Sequence, residues 1–287
     1  MLDYINALIQ GILPQHFLSQ CMYRATRWRW PPWKKFIIQL IIRRYQVDMT
    51  IAEQPDPEAY GNFNEFFTRI LKSSARPIDN TPLSIVSPVD GSVSQIGDIK
   101  VDAILQAKGK HFSLPALLAN DEDAVRRFKN GSFSTLYLSP RDYHRIHMAV
   151  DASLVKMIYV PGDLFSVNEA TTRAVDQLFA RNERLICLFE TEFGLMATIL
   201  VGAIFVGSME TVWQGEITPA KTRELCIWNY DSNSVQQTNY VKGEEIARFN
   251  MGSTVILLFE QNRISWSELI HVGDAVQMGQ LLARGTA

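Results

Sequence analysis

Short apolar runs set the fold class of this chain. From about residue 84 onward, segments 135–138, 146–150, 155–160, 185–189 and 254–259 are rich in β-branched or aromatic residues and bounded by Gly, Pro, Asn or Asp. Such segments fit strands, because branched side chains pack well on a pleated surface and the flanking residues supply turns. Residues 196–206 are also apolar, but the run is short and broken by Gly202, which predicts a buried strand and not a membrane span. Helical patterns are scarce here, with 115–128 and 168–181 the main candidates. The expectation is an α+β chain: N-terminal helices followed by a mainly antiparallel β domain. With 287 residues, 47% hydrophobic and 20% charged, there is ample material for a core and no signature of disorder.

The first 50 residues differ from the rest. Tyr4, Ile5, Leu8, Ile9 and Ile12 recur at helical spacing until Pro14, and a second pattern runs from Trp33 to Tyr45 after Pro31 and Pro32. The apolar centre of the second pattern, residues 36–42, is far shorter than the roughly 20 residues a bilayer requires. The N-terminus lacks the charged region and small-residue cleavage site of a signal peptide. Between Asp3 and Asp48 there is no acidic residue but there are seven basic ones: Arg24, Arg27, Arg29, Lys34, Lys35, Arg43 and Arg44. That leaves 21 basic residues against 30 acidic ones elsewhere. A basic, tryptophan-rich helical segment on an acidic body predicts a docking segment over 1–50 that binds an anionic membrane surface, with 51–287 as the β-rich body. The plainer alternative is a helical lid packed on the body. The acidic body argues against a nucleic-acid partner. Residues 50–80 read as a polar connector, with a short amphipathic turn or helix at 63–69.

Three cysteines, Cys21, Cys187 and Cys226, are an odd number without metal-type spacing. They predict a reducing compartment, buried free thiols and no metal site.

Few residues carry obvious chemistry. Of five histidines, His144 and His147 fall within four residues of each other, beside Pro140-Arg141-Asp142. A strand entered at Arg145 would aim both at one pocket. Asp90, in Ser87-Pro-Val-Asp-Gly91, is either a turn residue or a carboxylate that orients a histidine. Gly252-Ser253-Thr254 places a hydroxyl directly after a glycine carbonyl, which is accessible because glycine has no side chain. The hydroxyl can attack its own peptide bond, or it can simply begin a strand. The glycine–acid pairs at Gly243-Glu244 and Gly273-Asp274 are read as turn chemistry.

Taken in order, several motifs resemble the phosphatidylserine decarboxylase family, pyruvoyl-dependent enzymes of bacterial and mitochondrial membranes. They are Phe63-Asn-Glu-Phe-Phe-Thr-Arg69, Ser87 to Gly91, Tyr143-His-Arg-Ile-His147, Pro161-Gly-Asp-Leu-Phe-Ser-Val-Asn168, Lys242-Gly-Glu-Glu245 and Gly252-Ser253-Thr254. Met251 stands where leucine or phenylalanine is usual in the family. The resemblance implies that Ser253 is converted to a covalent pyruvoyl group by cleavage between Gly252 and Ser253, with Asp90 and His147 as the self-cleavage relay. A large and a small chain would come from one precursor. Phosphatidylserine in the bilayer would then form a Schiff base at position 253, lose CO2 and leave as phosphatidylethanolamine, with His144 as the acid/base group. The resemblance also implies peripheral attachment to the cytoplasmic side of the cell membrane and suggests a homodimer. It assigns no substrate-binding residues, although the 161–168 loop is expected near the pocket.

Two other readings fit the same residues. Asp90, His147 and Ser253 follow an order known among Ser-His-Asp hydrolases, although no Gly-x-Ser-x-Gly elbow is present. A membrane-binding module without catalysis would need none of the three.

Overall fold

A computed structural model of the chain describes residues 8, 10–107, 109–204, 208–218, 224–230, 238–250 and 253–286. Among the described residues, the helices that frame one side of the site precede the sheets: α1 (Gln15–Arg27), α2 (Pro31–Tyr45) and the short α3 (Phe63–Phe67). Pro31 and Pro32 open α2, where their missing N–H groups cost nothing, and Gln46 closes it in the left-handed conformation. Asn62 caps α3, accepting a hydrogen bond from Glu65 N at 3.0 Å.

Eight strands matter most for the site: β1 (Gly91–Asp98), β2 (Ser132–Leu138), β3 (Arg145–His147), β4 (Ala152–Val160), β5 (Arg184–Thr191), β6 (Gly194–Val201), β7 (Glu245–Phe249) and β8 (Ser253–Phe259). A nine-stranded sheet runs in the order Cys226–Asn229, β4, β5, β6, β8, β2, β1 and Ala275–Val276, with Asn239–Tyr240 also paired to β4. A second sheet orders Gly215–Glu216, Met209–Thr211, β7 and β3. All the strand pairings within these sheets are antiparallel, as expected from the sequence. Strands β5, β6 and β8 are buried along nearly their whole length, which explains why they read as continuous apolar runs and not as alternation.

Several elements depart from expectation. The candidate helix at 115–128 is two helices, Leu114–Leu117 and Glu122–Phe128, because Ala119 and Asn120 take positive φ. The candidate at 168–181 likewise splits into Glu169–Ala174 and Leu178–Arg181 around Gln177, φ 57°. The strand expected over 146–150 stops at His147. Helix α1 falls within the first 50 residues, expected to be helical, although its own limits carry no apolar pattern, and most of the pattern at 4–12 lies outside the described residues. Among the thiols only Cys187 is buried, while Cys21 is exposed and Cys226 half-buried, so burial of all three is corrected. Neither of the latter lies in a strand interior that packing would close.

The N-terminal helices are docked on the body. Ile38 and Val47 form an apolar cluster with Tyr60, Phe63, Phe66 and Phe67. Arg27 pairs with Glu216 at 2.7 Å, and Leu164 N donates to Gln15 Oε1 at 2.6 Å. Four of the seven basic residues are engaged in this way: Arg27, Arg29 with Glu65, Lys35 with Glu58, and Lys34 with the Glu58 and Tyr60 carbonyls. The outward faces still expose Phe17, Trp28, Trp30, Phe36 and Leu40. Among the described residues, no helix is long and apolar enough to cross a membrane.

Candidate active site

Two segments join the main sheet to the second sheet at the same place. Strand β2 ends at Leu138, opposite Ser253 at the start of β8. Strand β3 begins at Arg145, opposite Arg248 in β7. Residues 139–144 and the stretch following Phe249 therefore link the same pair of sheets, and Phe249 N donates to the His144 carbonyl at 3.0 Å. Met251, Gly252 and the Ser253 side chain lie outside the described residues, and with them the expected cleavage site. Asn250 is three Cα–Cα links from Ser253, so their Cα atoms are at most about 11 Å apart.

His144 stands in this junction with 0% exposure. Its Nδ1 bonds the Asp142 carbonyl at 2.8 Å. A carbonyl only accepts, so Nδ1 carries the proton and Nε2 is left with a bare lone pair. Among the described residues Nε2 is buried with no hydrogen-bond partner. The ring packs on Phe67, with centroids 4.1 Å apart. Burial pushes its pKa down to about 3, opposed by the bond to Asp142 and aided by the charge of Arg69. The side chain is a neutral base held in place by its other nitrogen.

His147 sits at the end of β3. Its Nδ1 donates to the Gly243 carbonyl at 2.8 Å, and its Nε2 takes the Tyr143 hydroxyl at 3.0 Å. Burial lowers its pKa, offset in part by the Gly243 bond and by the negative charges of Glu245 and Asp90. Asp90 lies in the same corner: His147 N donates to the carbonyl of Pro88, two residues before it. The Asp90 carboxylate is bonded elsewhere. Arg76 grips it through Nε at 2.8 and 3.1 Å and Nη2 at 2.5 Å, and Met278 N adds a fourth bond at 2.9 Å. Asp90 thus acts on His147 through its charge and not by a direct hydrogen bond.

Local sequence explains this corner. A Cβ on Gly91 would stand 2.4 Å from the Tyr137 carbonyl, so only glycine lets β1 approach β2 there. Tyr137 pairs with Ser92 on one side and Thr254 on the other, one residue beyond Ser253. A cleft of about 270 Å³ opens beside that row, lined by Ser92, Gln106, Tyr137, Val167, Thr172 and Val272. Val167 comes from the 161–168 loop.

Comparison with known proteins decides the family. A family model described as phosphatidylserine decarboxylase matches residues 63–284, and a second, described as PSD, matches residues 5–46. The chain belongs to the phosphatidylserine decarboxylase family. Its relatives include the phosphatidylserine decarboxylase proenzyme of Azotobacter vinelandii, 47% identical over 286 residues and covering 100% of both chains. The proenzyme of Pasteurella multocida is 47% identical, covering 97% of this chain and 94% of its own. That of Methylococcus capsulatus is 50% identical, covering 95% and 94%.

Within this phosphatidylserine decarboxylase-family chain, several residues of the corner escape a sequence reading. Arg76 and Tyr143 are the immediate partners of Asp90 and His147, and Gly243, read as a turn residue, supplies the carbonyl that fixes the His147 tautomer. Tyr143 belongs to the Tyr143–His147 motif, and its place beside the histidines is the signal that points to it. Asn64 and Asn250 bond side chain to side chain at 3.0 Å, and Asn250 also bonds Ser208.

Proposed function

We propose that this chain is a proenzyme that cuts itself between Gly252 and Ser253 and then decarboxylates phosphatidylserine to phosphatidylethanolamine at a membrane surface. The observation that carries the reading is the buried Nε2 of His144, without a partner among the described residues, in the junction leading to position 253. A buried polar atom without a partner is costly, and such sites concentrate where a reaction supplies the missing partner. The proenzyme names of relatives that match the chain end to end support the same reading.

In processing, the Ser253 hydroxyl attacks the Gly252 carbonyl carbon, and the amide is replaced by an ester. His147 is suited to take the hydroxyl proton. It is neutral, its Nδ1 proton is held by Gly243, and among the described residues its lone pair at Nε2 is shared with Tyr143 alone. The nearby Asp90 charge favours the imidazolium that results. Elimination then frees the Gly252 carboxylate and leaves dehydroalanine at 253, whose hydrolysis releases ammonia and a ketone.

The pyruvoyl group so made would supply the electron sink for the pair left behind as CO2 departs. A buried neutral base in the junction that leads to position 253, its Nε2 without a partner among the described residues, fits such a group. His144 would take a proton at Nε2 from the substrate's ammonium group as the amine engages the ketone, and later return it to the substrate Cα, acting as base and then acid. Phe67, packed on the imidazole, shields it from water. Exposed Phe17, Trp28, Trp30 and Phe36, together with Arg24, Arg43 and Arg44, suit the N-terminal helices to an anionic bilayer surface, on the cytoplasmic side.

Intact mass of the purified chain tests the reading. The wild type should split at 252/253, with a hydrazine-reactive group opening the smaller piece, and should release CO2 from phosphatidylserine. Ser253→Ala should stay whole and inactive. An unsplit wild type that is fully active overturns the proposal, and fluorophosphonate labelling of Ser253 in that unsplit chain would point to a hydrolase.

A further inference from the structure

Among the described residues two arginines are almost wholly buried, and they are treated differently. Arg184, 2% exposed, spends its guanidinium on four carbonyl contacts: Leu117 at 2.7 Å, Ala180 at 2.7 Å, Asn182 at 3.0 Å and Ala116 at 2.5 Å. That is how a structural arginine is satisfied. Arg69 is 3% exposed, yet only its Nη2 has a partner, the Arg141 carbonyl at 3.0 Å. Its Nε and Nη1 are buried with no hydrogen-bond acceptor among the described residues. The guanidinium lies over the Phe66 ring at 5.5 Å, which accommodates its charge but accepts no N–H in its plane.

The nearby acids are committed elsewhere. Asp142 Oδ2 accepts from the Ser139 N and Oγ, both at 2.7 Å, and Asp90 is held by Arg76. A buried guanidinium with two unfilled donors and no counter-ion is costly unless an anion joins it. The position is close to the reaction centre. Arg69 follows α3, whose Phe67 packs on His144, and the Arg69 charge contributes to the low His144 pKa. Asn64 on the same helix bonds Asn250, two residues before the bond that processing opens.

We propose that Arg69 is the anion subsite of the active centre and takes the phosphodiester of the lipid head group. This rests on the function proposed above. The substrate offers two anions, and physical chemistry separates them. The carboxylate loses its charge as CO2 forms, so an ion pair to it would hold the ground state more tightly than the transition state and slow the reaction. The phosphodiester keeps its charge from binding to product release. The planar fork of arginine suits its two free oxygens.

The test uses processed protein and phosphatidylserine in neutral detergent micelles, which remove any surface charge effect. Arg69→Gln should split normally by mass, raise KM about tenfold or more, and leave kcat within about threefold, the signature of lost uniform binding. Glycerophosphocholine, a phosphodiester with neither carboxylate nor primary amine, should compete with substrate in the wild type and not in Arg69→Gln. N-acetylserine, which carries only the carboxylate, should show no such dependence on position 69. Arg69→Lys should recover part of the affinity. An unchanged KM, a fall in kcat alone, or N-acetylserine being the inhibitor lost in Arg69→Gln overturns the subsite. If Arg69→Gln fails to fold or split, the Lys variant and wild-type competition decide, and a wild type indifferent to millimolar glycerophosphocholine overturns it. A wild type that neither splits nor releases CO2 overturns the functional reading as well, whereas an active wild type indifferent to position 69 overturns the subsite alone.

Discussion

Arg76 and Asp90 form a fork-to-fork ion pair, with Nε 2.8 Å from Oδ1 and Nη2 2.5 Å from Oδ2, and their side chains are only 11% and 9% exposed. The pair fixes the carboxylate that faces His147 and leaves it no direct bond to the imidazole. Removing the arginine would strand a buried charge. Arg76→Ala should therefore cost on the order of 3 kcal/mol of stability, measured by urea unfolding, and should also slow self-cleavage. Arg76→Lys, which keeps the charge but loses the bidentate geometry, should fall between. Equal stability of wild type and Arg76→Ala would show that the pair holds nothing in place.

The two histidines should separate by stage. His144→Ala should still split at 252/253 yet release little CO2, because its bare Nε2 is needed after processing. His147→Ala should remain largely whole, since it removes the base proposed to take the Ser253 proton. Gel analysis and CO2 release on the same samples check both, and identical behaviour of the two variants would abolish the division of labour.

Stability should fall with acid in a way that depends on His144. Its pKa is depressed to about 3 in the folded chain from an ordinary 6.5. Between those values the unfolded chain binds a proton that the folded chain refuses, so stability declines as pH drops through that window and is unaffected by this group above it. His144→Gln should remove about one proton from the pH slope of unfolding free energy near pH 5. An unchanged slope would mean that the imidazole is not buried neutral.

Gly91→Ala should be poorly tolerated. Its Cβ would meet the Tyr137 carbonyl at 2.4 Å, and backbone cannot swing aside as a side chain can. The expected result is low soluble yield or a melting temperature several degrees lower, about the shift that 1–2 kcal/mol gives. A normally stable Gly91→Ala chain would contradict the close approach of β1 and β2.

Docking of the N-terminal helices depends on the aromatic cluster. Phe66→Ala, at a site with 0% exposure, should cost about 3 kcal/mol and loosen α2 from the body. Limited proteolysis should then cut near residues 46–50 faster than in the wild type. Unaltered cleavage would place the holding force elsewhere.

Much of the fold was legible because its signals are local. The runs at 135–138, 155–160, 185–189 and 254–259 are strands, and the stretch at 33–45 is helical, since side-chain periodicity and flanking turn residues act over a few positions. The splits at Ala119-Asn120 and Gln177 were not legible, because positive φ at a non-glycine residue is imposed by packing and not by preference. The limits of helix α1 within the helical first 50 residues were not legible for a related reason. Gln15, Ser19 and Thr26 are its buried residues, so its inward face is polar, Gln15 accepting from Leu164 N and Thr26 donating to carbonyls of its own helix, which hides the usual apolar stripe.

The sequence by itself determined the types of element, the order of the motifs and the chemical repertoire: two histidines, an aspartate and a glycine–serine bond. It also held the family, in motifs spread from residue 63 to 254. Only the tertiary structure decided who partners whom. Asp90 belongs to Arg76, His147 to Gly243 and Tyr143, and His144 to Asp142 with one nitrogen left over. Gly243 is 96 positions from His147, and their meeting depends on β7 pairing with β3. Periodicity fixes what a segment becomes, but hydrogen-bond partners and buried charges are fixed by which segments meet across sheets, and desolvation exists only once they have met.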